Sequence, residues 1–280
     1  MKVLVDMLNV LFINFYVTQS ELRKQGKDEF TEDDIPFFFH FLFNKMNTFF
    51  STYGKLDICW DGSQSLEWRR SIYPDYKRNR DKRKSENSYK TLMSTIPKVS
   101  EGLWNYPCRQ ITVARVEADD IIYALSERYK DEEITIISSD KDLVQICNFF
   151  DRVTVFNPIK FRTTELNENI IEEKAVCGDA SDNIPGLYRV GIKTFEKMLA
   201  DHNLWAKKIS EKNNKEIFEK FLKIIDLRRF PYKQDILDVE EKLKYNEFNP
   251  DLIEMFYWEN KLKDLMGRWT KTKEGIRSKL

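Results

Sequence analysis

Eight carboxylates, Asp6, Asp61, Glu117, Asp119, Asp140, Asp142, Asp179 and Asp182, are the residues of this 280-residue chain best suited to chemistry. Most follow a short apolar run directly or lie in a Gly-, Ser- or Asn-rich turn. Those are the places from which an α/β protein presents side chains to a common crevice. Acids gathered so closely repel one another unless cations neutralise them. Oxygen ligands suit Mg²⁺ or Mn²⁺, and a pair of such ions is a device for phosphodiester chemistry. The pattern implies metal-dependent phosphoryl transfer.

Three blocks carry most of these acids. Val116-Glu117-Ala118-Asp119-Asp120 opens a helix whose apolar face is Ile121, Ile122 and Leu125. Acids are favoured there by the positive end of the helix whatever their role, and Asp120 is either a further ligand or a support behind the ligands. Ile134-Thr135-Ile136-Ile137 feeds Ser138-Ser139-Asp140-Lys141-Asp142, a spacing that lets both acids reach one ion or bridge two. Gly178-Asp179-Ala180-Ser181-Asp182-Asn183-Ile184-Pro185-Gly186 brings two more, three apart in a loop. Directly after it, Gly186 and Gly191 allow a tight turn and a close backbone approach to phosphate, with Lys193 and Thr194 at the following helix start.

The elements that must position these residues are legible in outline. Strands are expected at Lys2–Val5, Lys55–Trp60, Glu133–Ile137 and Val153–Phe156, alternating with helices at Ile35–Thr52, Tyr89–Gly102, Glu117–Tyr129 and Leu143–Cys147. Such alternation implies a mainly parallel sheet covered on both faces. We expect an α/β core over residues 1–165, interrupted by an insertion at about 63–95, and a helical subdomain over 166–280. With 46 basic and 46 acidic residues the net charge is zero, which by itself argues against a nucleic-acid binder. The distribution of charge argues the other way. Arg69 to Lys84 holds eight basic residues against two acidic ones, and Lys261 to Leu280 holds seven against two. The latter is expected to give an extra nucleic-acid contact or a partner tail. Four scattered cysteines and two histidines leave little for zinc or histidine catalysis, and read as free thiols in a reducing cytoplasm. No apolar stretch is long enough to span a bilayer, and the start of the chain lacks a signal-peptide layout.

Taken together, Val5-Asp6, Trp60-Asp61-Gly62, Tyr76-Lys77-Arg78-Asn79-Arg80, Glu117-Ala118-Asp119-Asp120, Ser139-Asp140-Lys141-Asp142-Leu143, Gly178 to Gly186 and Val190-Gly191-Ile192-Lys193-Thr194 resemble the 5′ nuclease (flap endonuclease) superfamily. The blocks occur in family order over about 190 residues. The resemblance is to the stand-alone phage type, and to the nuclease domain of bacterial DNA polymerase I. It implies a PIN-like nuclease core, a helical arch formed by the insertion, and a helix-three-turn-helix at about 176–200. It further implies two Mg²⁺ (or Mn²⁺) ions, one on Asp6, Asp61, Glu117 and Asp119, the other on Asp140, Asp142, Asp179 and Asp182, with Asp120 at the edge of the set. Lys77 and Arg80 are the implied contacts to the scissile phosphate. Arg69, Arg70, Tyr76, Arg78, Gly186, Arg189, Gly191, Lys193 and Thr194 are the implied nucleic-acid contacts, with a K⁺ ion on carbonyls of the last segment. The implied substrates are flap, nicked or junction DNA and RNA–DNA hybrid, cut by a monomer regardless of sequence. A single-strand-binding protein or a sliding clamp is the implied partner, and Phe256-Tyr257 is a faint match to a clamp peptide.

Two other readings compete. Asp140-Lys141-Asp142-Leu143-Val144 mimics the nucleophile loop of haloacid-dehalogenase phosphatases, but that reading leaves Asp6, Asp61, the Glu117 block and the basic insertion unexplained. A non-catalytic binder of branched DNA would keep the basic segments, yet would have no need of the full set of acids.

Overall fold

The computed structural model describes residues 1–280. The chain begins with β1 (Lys2–Asp6), α1 (Met7–Lys24), α2 (Ile35–Tyr53) and β2 (Leu56–Trp60). The connection to β3 (Cys108–Thr112) holds α3 (Glu67–Ile72), α4 (Asn87–Ser94) and α5 (Ile96–Leu103). Then come α6 (Ala118–Arg128), β4 (Ile134–Ile137), α7 (Val144–Cys147), β5 (Val153–Asn157) and β6 (Arg162–Thr163). The rest is helical: α8 (Ile170–Cys177), α9 (Ile192–Ala200), α10 (His202–Ser210), α11 (Asn214–Ile225), α12 (Lys233–Glu240), α13 (Pro250–Glu259) and α14 (Lys263–Arg277).

The six strands lie in the order β3-β2-β1-β4-β5-β6, all parallel except the short edge strand β6. Central strands buried on both faces need apolar residues at successive positions, and Val3-Leu4-Val5 and Ile58-Cys59-Trp60 supply them. Alternation sorts these side chains. Val3, Val5, Ile58 and Trp60 join the core under α1 and α2, while Leu4, Cys59 and Ile136 join the one under α6. Parallel register then sets the site, because Asp6 pairs with Cys59 and Val5 with Ile137. The residues just past β1, β2 and β4 therefore emerge side by side at one edge.

Three sequence expectations change. Cys108–Thr112 is a strand that the alternation missed, since Arg109 and Gln110 break its apolar run. Arg109 is nonetheless buried, bonded to Asp57 and Glu240, so its charge is compensated inside. The basic middle of the insertion forms only short 3-10 turns, at Arg78–Arg80 and Arg83–Ser85, and not a continuous helical arch. The last two helices do not belong with the other C-terminal ones. α13 and α14 pack on α2, with Phe256 against Phe39 and Phe43 and the Tyr257 hydroxyl bonded to Asn47 and Tyr106. Phe256 and Tyr257 are buried there, which removes the clamp-peptide reading, and the basic C-terminal segment is an amphipathic helix anchored by Leu265, Trp269 and Ile276.

Gly62 shows how tightly the sheet edge is built. A Cβ at this position would lie 1.8 Å from the Val113 carbonyl oxygen, whereas at Gly267 in α14 it would meet nothing. Gly62→Ala should therefore cost about 2 kcal/mol of stability, and Gly267→Ala should be neutral or stabilising by up to ~1 kcal/mol. Urea midpoints measure both. Equal stabilities would show that the β2–β3 edge relaxes freely.

Candidate metal centre

Asp6 ends β1 and caps α1, accepting from Asn9 N at 3.1 Å and from Ser138 Oγ at 2.9 Å. Ser138 stands beside it because β4 is the parallel neighbour of β1. The Ser138 hydroxyl accepts from Asp140 N at 3.0 Å, and Asp140 Oδ1 accepts from Asp142 N at 2.9 Å. Asn9 Oδ1 takes Ser139 N at 2.9 Å. This train of bonds fixes the β4 turn so that both acids face the crevice. On the other side Asp61, just past β2, accepts from Ala118 N at 2.7 Å and so holds the start of α6, where Glu117 and Asp119 sit.

The acids sort by their counter-charges. Glu117 receives Lys77 Nζ at 2.5 Å and Arg69 Nη1 at 2.7 Å. Burial alone would raise its pKa, but Lys77 and Arg69 hold it below the ordinary carboxylate value. Asp182 receives Arg80 at 2.9 Å. Lys174, on α8, sits between Asp142 and Asp179, at 2.5 Å from the latter. By contrast no basic side chain forms an ion pair with Asp6, Asp61, Asp119 or Asp140. Burial, with Asp61 and Asp140 nearby, pushes Asp6 up to about 7. Asp119 is pushed well up by burial, Asp140 and Asp6. Asp142 rises to about 7 through burial and Asp140, despite Lys174.

By charge the acids fall into two groups. One is the unpaired set Asp6, Asp61, Asp119 and Asp140. The other is Asp142, Asp179 and Asp182, whose carboxylate oxygens lie within 4.8 Å of one another. The donors are all hard oxygens, and an ammonium already sits between two of the second group, so these positions suit divalent cations such as Mg²⁺.

Several sequence-derived residues fall elsewhere. Asp120 is fully buried with both oxygens bonded to Arg69, at 2.7 and 2.8 Å, and lies behind the crevice. Arg69, expected on nucleic acid, is buried as well and also donates to Ile224 O at 3.0 Å. It ties α3 to α6 and α11. Tyr76 is 3% exposed with its hydroxyl 3.4 Å from Glu117, so it offers no face to a base. Arg70 donates to Tyr76 O and Asp81, and Arg78 pairs with Asp75 on the surface. Lys77 adopts a left-handed conformation, φ 54°, and its amide donates to Asp182 O at 2.9 Å. Asn79 donates to Ala180 O and Asn183 to Asp75 O, both at 2.8 Å, so the basic turn closes over the Gly178–Gly186 loop.

Gly178 (φ 87°) and Gly186 (φ 70°) pack against each other, and a Cβ on Gly186 would lie 2.4 Å from Gly178 N. Gly191 caps α9, and Arg189, Gly191 and Lys193 are exposed in this turn with Thr194 partly so. The sequence reading missed Lys174, Asn9 and Ser138. Lys174 is separated from Asp179 by a helix end, and no local pattern marks it.

Two outcomes follow from this charge layout. Asp6 and Asp142 have folded pKa values above the unfolded carboxyl value, so the folded protein binds their protons more tightly. Their contribution to stability is present at low pH and is lost as pH rises from about 4 through about 7. Cations bind the ionised forms. The gain in Tm from saturating Mg²⁺ over EDTA should therefore be larger at about pH 8 than at about pH 5.5; equal gains would contradict the assignment. Lys174→Met should raise Mg²⁺ affinity at Asp142 and Asp179 by roughly 3- to 10-fold in calorimetry. Weaker binding would show that the ammonium supports that group of ligands and does not compete for it.

Comparison with known proteins agrees with this architecture. DNA polymerase I of Streptococcus pneumoniae is 35% identical over 162 residues, 52% of this chain and 17% of that protein. The 5′-3′ exonuclease of Bacillus subtilis is 29% identical over 216 residues, 71% of this chain and 69% of that one. The chain thus spans 17% of the length of the polymerase relative. A structure of the bacteriophage T5 flap endonuclease with DNA and metal ions shares the fold, with a TM-score of 0.53 at 16% identity over 98% of both chains. Residues 1–177 match the family model of the 5′-3′ exonuclease N-terminal resolvase-like domain, and the chain belongs to that family.

Proposed function

We propose that the chain is a divalent-metal-dependent 5′ nuclease, cutting phosphodiesters near junctions of single-stranded and duplex nucleic acid. The observation that supports this most directly is the meeting of acids from five separate chain segments under a basic turn that reaches them with Lys77 and Arg80. Asp6, Asp61, Asp119 and Asp140 would hold one Mg²⁺ or Mn²⁺, with Glu117 beside them, and Asp142, Asp179 and Asp182 the other. When bound, such a pair supplies Lewis-acid polarisation of the phosphodiester and of the attacking water. The chain's own part is orientation and charge. The bonds from Asn9, Ser138 and Ala118 fix the ligand oxygens before any ion arrives. Lys77 and Arg80 exchange their carboxylate partners for the scissile phosphate and stabilise the charge that builds on it. Lys77 enters this exchange already desolvated, so its contact with phosphate is strong.

Away from the crevice, the turn from Gly186 to Thr194 grips the backbone of the duplex through amides at the start of α9, with Arg189 and Lys193 nearby. Carbonyls of this turn are the place for a K⁺ ion. Contacts of this kind carry no sequence information, so cleavage follows structure: flaps, nicks and junctions in DNA, and RNA annealed to DNA. A phosphatase reading of Asp140 and Asp142 is less well supported, because it gives no role to Asp6 and Asp119, whose charges crowd Asp140.

A 5′-labelled flap duplex, an RNA primer on DNA and a 3′-flap control, each with Mg²⁺ or EDTA, test the proposal. Cutting near the 5′ junction only, abolished by EDTA, is the expected result; tight binding without cleavage in Mg²⁺ or Mn²⁺ would overturn it. Asp140→Asn should lower the rate by about 100-fold or more with duplex binding largely kept. Lys77→Ala should reduce kcat far more than it weakens binding, and a pure loss of affinity would reduce Lys77 to a tether.

A further inference from the structure

The basic turn and the acidic loop hold each other through a reciprocal pair of asparagines. Asn79 donates to Ala180 O at 2.8 Å and to Ser181 O at 3.3 Å, while Asn183 donates back to Asp75 O at 2.8 Å. Around them the Lys77 amide donates to Asp182 O at 2.9 Å, the Tyr73 hydroxyl to Asn183 O at 3.2 Å and Arg80 to Asp182 Oδ1 at 2.9 Å. Each side of the contact includes a left-handed residue, Lys77 with φ 54° and Asn183 with φ 60°. Asparagine tolerates that region, but a lysine there is held by its surroundings.

This contact divides the crevice. Arg80 lines an open space of about 630 Å³ over Asp140, Asp142 and Asp179, and also a second space of about 310 Å³ over Asp61 and Glu117. Its pair with Asp182 stands between the two as a partition. Beneath the turn, Asp119, Asp142, Asp179 and Asp182 line a cavity of only about 20 Å³. That is room for about one water molecule. A Mg²⁺ ion keeps several of its waters when it binds, so the closed turn leaves no space there for a hydrated ion. A phosphodiester that reaches the acids on both sides has to displace Arg80. The acids are assembled, yet the closed turn shuts them off from what they would act on.

We propose that Asn79 and Asn183 form a clasp that keeps the free chain autoinhibited, and that a divalent cation among Asp142, Asp179 and Asp182 opens it. The inference rests on the metal-dependent nuclease reading and adds a closed state to it. A cation at those acids places two positive charges beside Arg80 and Lys77, and so turns the attraction that holds the turn down into repulsion. The Arg80–Asp182 pair gives way readily, because the Arg80 side chain is 46% exposed and water screens it. The asparagine bonds are neutral and set how firmly the turn stays shut. Linkage makes the effect reciprocal: a clasp that the cation opens must itself weaken cation binding. Asn79 is therefore a positioning residue, acting on the acids through the loop and Arg80.

Hydrogen exchange at the Lys77 amide and calorimetric titration with Mg²⁺, both on the full chain without nucleic acid, test the clasp. The wild type, Asn79→Ala and Lys82→Ala are compared, with thermal melts to confirm folding. Lys82 is exposed in the same turn, so its replacement removes a charge and no clasp bond. Saturating Mg²⁺ should speed exchange at Lys77 by roughly 5-fold or more over EDTA. The Ile184 amide, bonded within the loop to Asp179 O, should keep its protection. Asn79→Ala should bind Mg²⁺ roughly 3- to 10-fold more tightly than the wild type, and Lys82→Ala should differ from it by under about 2-fold. Unchanged exchange at Lys77 in Mg²⁺, no gain in affinity for Asn79→Ala, or an equal gain in both variants would overturn the clasp. If it fails while the wild type binds Mg²⁺ and cuts flaps, only the clasp is wrong; a wild type that neither binds Mg²⁺ nor cuts overturns the nuclease reading with it.

Discussion

Mutual repulsion among carboxylates at the carboxyl edge of a parallel sheet is the constraint on which the rest of this structure depends. Two unit charges 4 Å apart interact by about 1 kcal/mol in water and by about 4 kcal/mol at the effective dielectric of a protein surface. A cluster of eight such acids would therefore strain a fold of ordinary stability. The chain answers with its own cations: Arg69 on Glu117 and Asp120, Lys77 on Glu117, Arg80 on Asp182, Lys174 on Asp142 and Asp179. These are drawn from the insertion and from α8, which explains why the basic turn lies down on the acidic loop. The four acids without an ion pair mark where charge is left over, and an external divalent cation has most to gain there.

Arg69 ranks first among these cations in structural weight. Its guanidinium meets two buried carboxylates and the carbonyl end of α11, so one side chain joins the insertion, the ligand-bearing helix and the helical C-terminal part. Breaking a buried pair of this kind costs about 3–5 kcal/mol, because the acids left behind keep their desolvation penalty. Lys77 and Arg80 differ in kind. Their partners lie at the crevice, where incoming cations and phosphate can change who neutralises whom. On the proposed reading the same two side chains balance the acids in the free protein and the substrate in the complex.

Much of this was legible in the sequence, and for identifiable reasons. Strands β1, β2, β4 and β5 are short apolar runs ending in turn residues, so both their existence and the acids after them could be read directly. β3 escaped because Arg109 and Gln110 interrupt it, and the Asp57 and Glu240 carboxylates that make Arg109 acceptable lie far away in sequence. The same difficulty hid the role of Arg69. A basic residue in a basic segment looks like a nucleic-acid contact, and only tertiary packing shows that its partner is Asp120. Tyr76 looked exposed because its neighbours are polar, yet it fills the space under Lys77. Lys174 gave no signal, since a lone lysine in a helix is ordinarily solvated.

The two glycines of the Gly186–Thr194 turn show where internal packing stops explaining residue choice. At Gly186 the fold itself demands glycine, because φ is 70° and a Cβ would run into the backbone at Cys177 and Gly178. Gly191 has φ −111°, open to any residue, and a Cβ there would touch nothing within the chain. A glycine also costs more conformational entropy on folding than any other residue, so its presence here opposes stability with no internal return. It caps α9, where serine, aspartate or asparagine would serve a helix better. What an absent side chain offers at an exposed helix start is approach: a phosphate can come up against the amides of Ile192 and Lys193 without meeting a Cβ. On the proposed reading the residue makes sense with its partner in place, the same duplex backbone that the cations around it would meet.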